Sequence, residues 1–337
     1  MRRQHGVALM VALLTVSLVA TLASAALWQQ RQHVEVEAAE RDRVQAAWVL
    51  TGALDWARLI LREDARSNQN NGNGDHLAEP WAIGLAEARL SSFLAADRQQ
   101  ALPDELDAFL SGRIEDQQAM LNFANVLDQG KVSEPDVRRL VRLFDHLGLG
   151  TAELMRAVRL WASAAQPPST AADATGSGTA AGRPLLPQRL SQLSWLGLPP
   201  RTLERLSPFV TVLPERTPVN LNTAPAEVLM ASIAEMDMAQ ARRLVEHRSR
   251  QPLRTLSDAQ AWVNGAALSD KAHSTTSRYF RVTARLRLNQ RTLEEQALVA
   301  RNGLSVQTLW RERVRPSVPL TPEGSPGGGA AYNRSAP

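Results

Sequence analysis

Near its start the chain carries twenty-two consecutive uncharged residues, Val7 to Trp28. An apolar run of about 20 residues crosses the hydrocarbon core of a bilayer as a helix, whereas the apolar part of an ordinary secretory signal is shorter. Beyond it, Gln29 to Ala65 holds no Pro and one Gly, Gly52. Val44, Ala47, Trp48, Leu54 and Leu61 recur there at helical spacing, with Arg41, Asp42, Arg43 and Asp55 between them, the pattern of an amphipathic helix. The two stretches together predict one rod over 7–65, roughly 90 Å long.

Two other patterns fill the rest. From Gly72 to about Asp128, short apolar stretches within DHLAEPWAIGLAEARLSSF and GRIEDQQAMLNFANVL are bounded by Gly, Pro and Asp and predict strands. From Ser133 to about Lys271 the period is helical: Val137, Leu140, Val141, Phe144 and Leu147 before Gly148, then Leu154 to Trp161, then the segment after Asn222. Alternation returns at Tyr279–Leu288, with Phe280, Val282, Ala284, Leu286 and Leu288 on one face and arginines on the other. Ala297–Ala300 and Val306–Trp310 supply two more strands. Gln166 to Arg183, QPPSTAADATGSGTAAGR, reads as a small-residue linker, and the Pro-, Gly- and Ser-rich tail from Arg315 takes no secondary structure. The expectation is therefore α+β, a strand-bearing domain interrupted by helices. Its parts are 66–130, an insertion over 131–275 that contains the 166–183 linker, closing strands over 276–314, and a tail over 315–337.

Composition narrows the chemistry. The absence of cysteine leaves burial, hydrogen bonds or a metal ion to stabilise an exported fold. The net charge of +4 is modest, Lys131 and Lys271 are the only lysines, and acidic residues alternate with the arginines, so no one-sign patch for nucleic acid emerges. His5, His33, His76, His146, His247 and His273 are scattered without an H-E-x-x-H cluster. No G-x-S-x-G or phosphate-binding loop exists, Gly176-Ser177-Gly178 belongs to the linker, and Asp145-His146 reads as a helix-end pair. The chain is expected not to be an enzyme.

Three readings of the amino terminus compete. Ala23-Ser24-Ala25 matches the A-x-A pattern of a cleaved secretory signal. The apolar run alone also suits an uncleaved anchor, with Arg2 and Arg3 holding the start in the cytoplasm. Gly6 between those arginines and the apolar run favours a third reading, a prepilin-type leader over 1–6 cut between Gly6 and Val7. That cut leaves the membrane helix, 7–28, on the mature chain, followed by a periplasmic helix over 29–65.

The leader RRQHG with VALMVALL, the blocks DHLAEPWA, GRIEDQQAMLNFANVL and VNLNTAPAEVLMA, and SRYFRVTARLRL followed by SVQTLWRER occur in one order along nearly the whole chain. Together they resemble the general secretion pathway protein K family, the large minor pseudopilins of type II secretion. The resemblance implies a pilin-like fold, a long amino-terminal helix on an antiparallel sheet, with a large all-α domain inserted. It implies a single-pass inner-membrane protein with a cytoplasmic amino terminus and a periplasmic bulk, processed by prepilin peptidase and methylated. It further implies a hetero-oligomeric tip complex with other minor pseudopilins, capping a filament of the major pseudopilin and helping to start its assembly for protein export. Helix packing in the membrane through Ala12, Ala20, Ala23 and Ser24 fits such a complex. Val11 stands where most pilins carry glutamate, a buried charge that needs a neighbouring subunit's amino terminus. Its absence suits a first subunit. Calcium binding is also implied by the resemblance. Asn70-Asn71-Gly72-Asn73-Gly74-Asp75 has suitable oxygen donors without the EF-hand spacing, so Asp75 and Asp116 are the candidate metal ligands and a flexible polar turn is the competing reading.

Val219 to Leu256 resembles a helix-hairpin-helix element, with Asn222-Thr223 as the cap and Pro225 in the first turn. That element grips a nucleic-acid phosphate with the amides of a Gly-hydrophobic-Gly hairpin. Glu235, Met236 and Asp237 stand at the hairpin here, and two carboxylates repel a phosphate. Arg242, Arg243, Arg248 and Arg250 are expected on a solvated helix face. No nucleic-acid partner is expected, and a membrane-anchored periplasmic DNA-binding protein is the alternative.

Overall fold

The structure is a computed structural model that describes residues 5–72, 74–91, 108–166, 184–263, 268–289 and 291–316. The linker expected at 166–183 and the tail from 315 fall almost wholly outside the described residues.

The rod is one helix, α1 (His5–Asn71), with 67 residues and a length of roughly 100 Å. It runs six residues past the expected end at 65 because no breaker precedes Gly72, whose φ of +63° ends it. Burial begins only at Ala46 and then follows Leu50, Leu54, Ala57, Leu61 and Ala65, a single stripe at three- and four-residue steps. The sequence assigned Val44 and Trp48 to that stripe, but both face outward, Trp48 with 73% of its surface exposed. Two apolar stripes coexist on this stretch, and periodicity alone does not say which one the sheet takes.

The stripe lies on a five-stranded antiparallel sheet: β1 (Leu85–Arg89), β2 (Ala108–Asp116), β3 (Tyr279–Leu288), β4 (Arg291–Asn302) and β5 (Ser305–Val314), in that spatial order. The alternation of β3 is as expected: Phe280, Val282, Ala284, Leu286 and Leu288 are buried against α1, while Arg281, Arg285 and Arg287 take the other face. Both short candidate strands lie inside longer ones, β4 and β5. Within DHLAEPWA, a 3-10 turn at Pro80–Ala82 buries Trp81, whose ring meets Phe280 edge-on at 5.2 Å.

β2 and β3 are neighbours in the sheet, with Gly112 opposite Ala284 and Asp116 opposite Phe280, yet the chain between them makes a second body. Its helices are α2 (Glu134–His146), α3 (Thr151–Ala165), α4 (Pro200–Leu206), α5 (Ala226–Ser232), α6 (Met238–Arg250) and α7 (Leu256–Gln260). They close over the largest apolar cluster among the described residues, with Phe123 edge-on to Trp161 at 5.2 Å and Leu140, Phe144, Leu193, Leu206 and Leu244 buried around it. Leu121, Phe123 and Val126 belong to this cluster. The packing of the helical body thus reaches back past residue 131, to the turn that follows β2.

Leu61 is fully buried between α1 and the sheet. Leu61→Ala should lower the stability of the full-length chain in detergent by about 3 kcal/mol, read by chemical denaturation. Trp48→Ala should change it by less than about 0.5 kcal/mol.

Candidate functional site: the membrane helix and the polar joint

From Val7 to Trp28 every residue of α1 is exposed, and Val7, Val11 and Trp28 all project outward. Gly6 lies in the first turn. Among the described residues α1 is the one helix long and apolar enough to cross a membrane, with a mean hydropathy of 2.3 in its most apolar window. Thr15, Thr21 and Ser24 donate their hydroxyls to the carbonyls of Ala12, Leu18 and Ala20, each at 2.8 Å. Those three hydroxyls are thereby satisfied inside the helix, as suits a lipid-facing segment.

At the opposite end of α1 a buried polar joint ties together the helix, the sheet and both ends of the inserted body. Asp64 comes from the last turns of α1, Asp75 from the loop after it, Asp116 from the end of β2, Ser277 from the residues before β3, and Arg301 from β4. Arg301 donates to Asp64 Oδ2 at 2.6 Å, to Asp75 Oδ1, and to the Ser277 carbonyl at 2.9 Å. Asp75, 1% exposed, accepts the Ser277 amide at 2.6 Å on its other oxygen. Asn220, from the inserted body, donates to the Asp75 carbonyl and to Asp116 Oδ2, both at 3.1 Å, and to Ser277 Oγ at 2.9 Å. Asp116 accepts the hydroxyls of Thr223 and Ser277 at 2.5 and 2.6 Å and the Gln118 amide at 2.7 Å.

Gly74 is needed for this approach. A Cβ there would collide with the carbonyl oxygen of Thr275 and lie 3.1 Å from the Asn222 amide nitrogen. The stretch read as a candidate flexible polar turn is, at Gly74 and Asp75, packed against the returning chain.

Electrostatics follow from burial. Loss of water raises Asp64 to about 7, reinforced by Glu79 and Asp75 and opposed by Arg301. Burial also raises Asp116 to about 6, against the lowering effect of the bonds from Ser277, Thr223 and Gln118. His273, on the strand segment paired with Val219–Asn220, is pushed down to about 4 by burial and by Arg139, so it stays neutral at physiological pH.

Asp75 and Asp116 do not fit calcium. Asp116 Oδ2 already accepts three hydrogen bonds, from Asn220, Thr223 and Ser277, and Oδ1 accepts the Gln118 amide, so both oxygens are committed within the chain. Among the described residues one cluster of three carboxylates has the spacing of a metal site, Asp64, Asp75 and Glu79, with oxygens within 4.8 Å of one another. Arg301 is inserted between the first two, and Glu79 Oε2 accepts the His76 amide and the Trp81 indole N–H, each at 2.8 Å. Asp64, Arg301, Ser277 and Asn220 carry this joint and had no sequence signal. Arg301 reads as one more strand arginine, and Asp64 as one more helix carboxylate.

The helix-hairpin-helix reading needs two corrections. Asn222 and Thr223 do not cap α5, which starts after Pro225 without a side-chain cap. Asn222 instead clamps the backbone of Leu253, donating to its carbonyl at 2.8 Å and accepting its amide at 2.9 Å, while Thr223 turns to Asp116. Arg248 is buried, donating to the carbonyls of Leu221 and Ala224, and burial lowers it to about 10. Arg242, Arg243 and Arg250 are exposed as expected. At the hairpin, Asp237 caps α6 by accepting the Gln240 amide at 2.7 Å, and the Gln240 side chain accepts the Asp237 amide at 2.8 Å. The Asp237 amide at the hairpin is thereby bound within the chain.

The folded pKa of Asp116 lies above its unfolded value of 3.8, so its contribution to stability is full below about pH 4 and is lost as pH rises through about 6. Asp116→Asn removes that dependence. The stability of wild type minus variant should therefore fall by roughly 3 kcal/mol between those limits, read by denaturation at a series of pH values. Gly74→Ala should destabilise the fold by more than about 2 kcal/mol in the same assay, since backbone must move to admit the methyl group.

Two family models described as "Type II secretion system (T2SS), protein K" match residues 119–215 and 219–277. The chain is 30% identical over 307 residues to the type II secretion system protein K of Pseudomonas aeruginosa, covering 86% of each chain. It is 29% identical over 266 residues to that of Klebsiella pneumoniae, covering 73% of this chain and 76% of the relative. The fold is similar to a crystal structure of the GspK-GspI-GspJ complex from the type 2 secretion system of enterotoxigenic Escherichia coli. There the TM-score is 0.60 at 19% identity, over 82% of this chain and 99% of that one. With a pilin-like α+β fold, an apolar anchor helix and relatedness along most of its length, the chain belongs to the type II secretion system protein K family.

Proposed function

We propose that the protein is a minor pseudopilin that is trimmed between Gly6 and Val7, stays in the inner membrane by α1, and crowns a periplasmic pseudopilus. The observation that carries this reading is the position of the inserted body. Its two ends leave and rejoin the sheet at Asp116 and Tyr279, beside Asp64 and Asp75, at the end of α1 opposite the membrane segment. A body with the largest core among the described residues, fixed at that end, leaves no room for another subunit above it. The unit that crowns the filament is, on this reading, the whole of 117–277. Val11 fits a leading subunit, which has no neighbour ahead whose amino terminus a glutamate could meet. The unbroken helix through Ala23-Ser24-Ala25 favours the prepilin cut over a secretory one.

Companion pseudopilins pack along α1. In the membrane half the small residues Ala12, Ala20, Ala23 and Ser24 permit close approach. In the periplasmic half, Trp48 stands out on the face away from the sheet, with Gly52 one turn on and open space where its Cβ would be. An exposed tryptophan beside a notch suits a second helix more than it suits water.

Mass spectrometry of the mature chain should find Val7 at its start, and Met1 retained in cells without prepilin peptidase. An unprocessed chain in the presence of the peptidase, or one starting at Ala26, counts against the proposal. Gly52→Leu combined with Trp48→Glu should cut copurification of companion minor pseudopilins several-fold without lowering the melting temperature, and undiminished copurification removes this surface.

A further inference from the structure

We infer that Arg301 is the resident cation of the joint, standing where the surrounding oxygens would otherwise gather a divalent metal ion, so that this cluster closes without one. Three oxygens converge on its guanidinium: Asp64 Oδ2 at 2.6 Å, Asp75 Oδ1, and the Ser277 carbonyl at 2.9 Å. Carboxylate oxygens of Asp64, Asp75 and Glu79 lie within 4.8 Å of one another, and the Asn68 amide sits 3.5 and 3.4 Å from Asp64 and Asp75. This is a hard-oxygen set of the kind calcium takes, and calcium needs six to eight such ligands at about 2.3–2.6 Å.

The guanidinium already occupies the centre. Its flat face lies on Phe280 at 4.8 Å from the ring centroid, a cation–π contact that suits Arg and gives nothing to a hydrated dication. A metal ion added beside it would put two cations within a few ångströms of each other in a buried site, a repulsion larger than that between exposed charges. The cation is also tethered. β4 delivers it as part of the chain, so the joint does not depend on the free calcium concentration or on chelators. This inference concerns how the head is held together and is independent of the tip-capping proposal.

The test compares calcium uptake and melting temperature of the full-length protein in detergent, with calcium or with a chelator, for wild type, Glu79→Gln, Arg301→Gln and the double variant. Wild type and Glu79→Gln should take up equal amounts of calcium. Arg301→Gln should melt well below wild type in chelator, gain one calcium per chain over wild type, and recover several degrees when calcium is added. The double variant should lose that gain. Reduced uptake in Glu79→Gln alone would mean the cluster already holds metal and would overturn the inference, as would an Arg301→Gln protein with the calcium response of wild type. If Arg301→Gln does not fold, Arg301→Lys, which keeps one charge, should fold without any gain in calcium uptake. A gain there would equally overturn it.

Discussion

The interaction on which the rest depends is the guanidinium of Arg301 shared between Asp64 and Asp75. It joins the end of the long helix, the loop after it and the fourth strand, and its bond to the Ser277 carbonyl holds the chain where it returns from the inserted body. A buried charge triad is weak evidence for stability, because desolvation offsets most of the Coulomb gain. What it supplies is geometry. A guanidinium fork accepts few arrangements of its partners, so the position of the helical body on the head is fixed by direction as well as by contact. Removing one partner would leave an uncompensated buried charge, and Asp64, already raised by burial, shows how near that balance lies.

The long helix serves two solvents along one axis. Its membrane half exposes apolar side chains on all sides and satisfies three of its four hydroxyls, those of Thr15, Thr21 and Ser24, internally, since lipid offers no hydrogen bonds. Its distal half has a narrow buried stripe of small and branched residues, Ala46 to Ala65, on which the sheet lies. Ala46, Ala57 and Ala65 let the strands approach closely, while Leu50, Leu54 and Leu61 fill the space between them. The apolar side chain of Trp48 is left over on the far side, exposed over most of its surface.

What the sequence made legible was whatever depends on neighbours along the chain. The helix followed from the absence of breakers, β3 from its alternation, and the helical body from the period of Val137 to Leu147. What stayed hidden depends on residues far apart. Gly74 looked like turn chemistry because its constraint, the Thr275 carbonyl, lies two hundred residues on. Asn222 looked like a cap because asparagine favours caps, yet a backbone clamp on Leu253 won the side chain. Asp116 was picked as an oxygen donor for a metal ion. It is an oxygen centre, but one that already accepts four hydrogen bonds from hydroxyls and amides of its own chain. Arg301 differs from Arg281 or Arg285 by no local feature, only by what the fold puts beside it.

The hairpin at Glu235 to Asp237 shows how one scaffold can serve a different end. Glu235 takes a φ of +62°, the left-handed region that glycine enters freely and a glutamate enters at a cost of about 1 kcal/mol. The turn geometry is thus kept where the residue that makes it easy is absent. Asp237 then accepts the Gln240 amide in the first turn of α6, and Met236, between the two acids, is buried in the apolar cluster with Ala241, Leu244 and Leu253. In a phosphate grip the turn faces outward with bare amides. Here its apolar residue is buried and the Asp237 amide is held by Gln240, so the strain is borne for packing. The same logic runs through Arg248, whose charge is spent on two carbonyls inside the body. An element that elsewhere reads nucleic acid is, in this chain, part of the mass attached to the end of the rod.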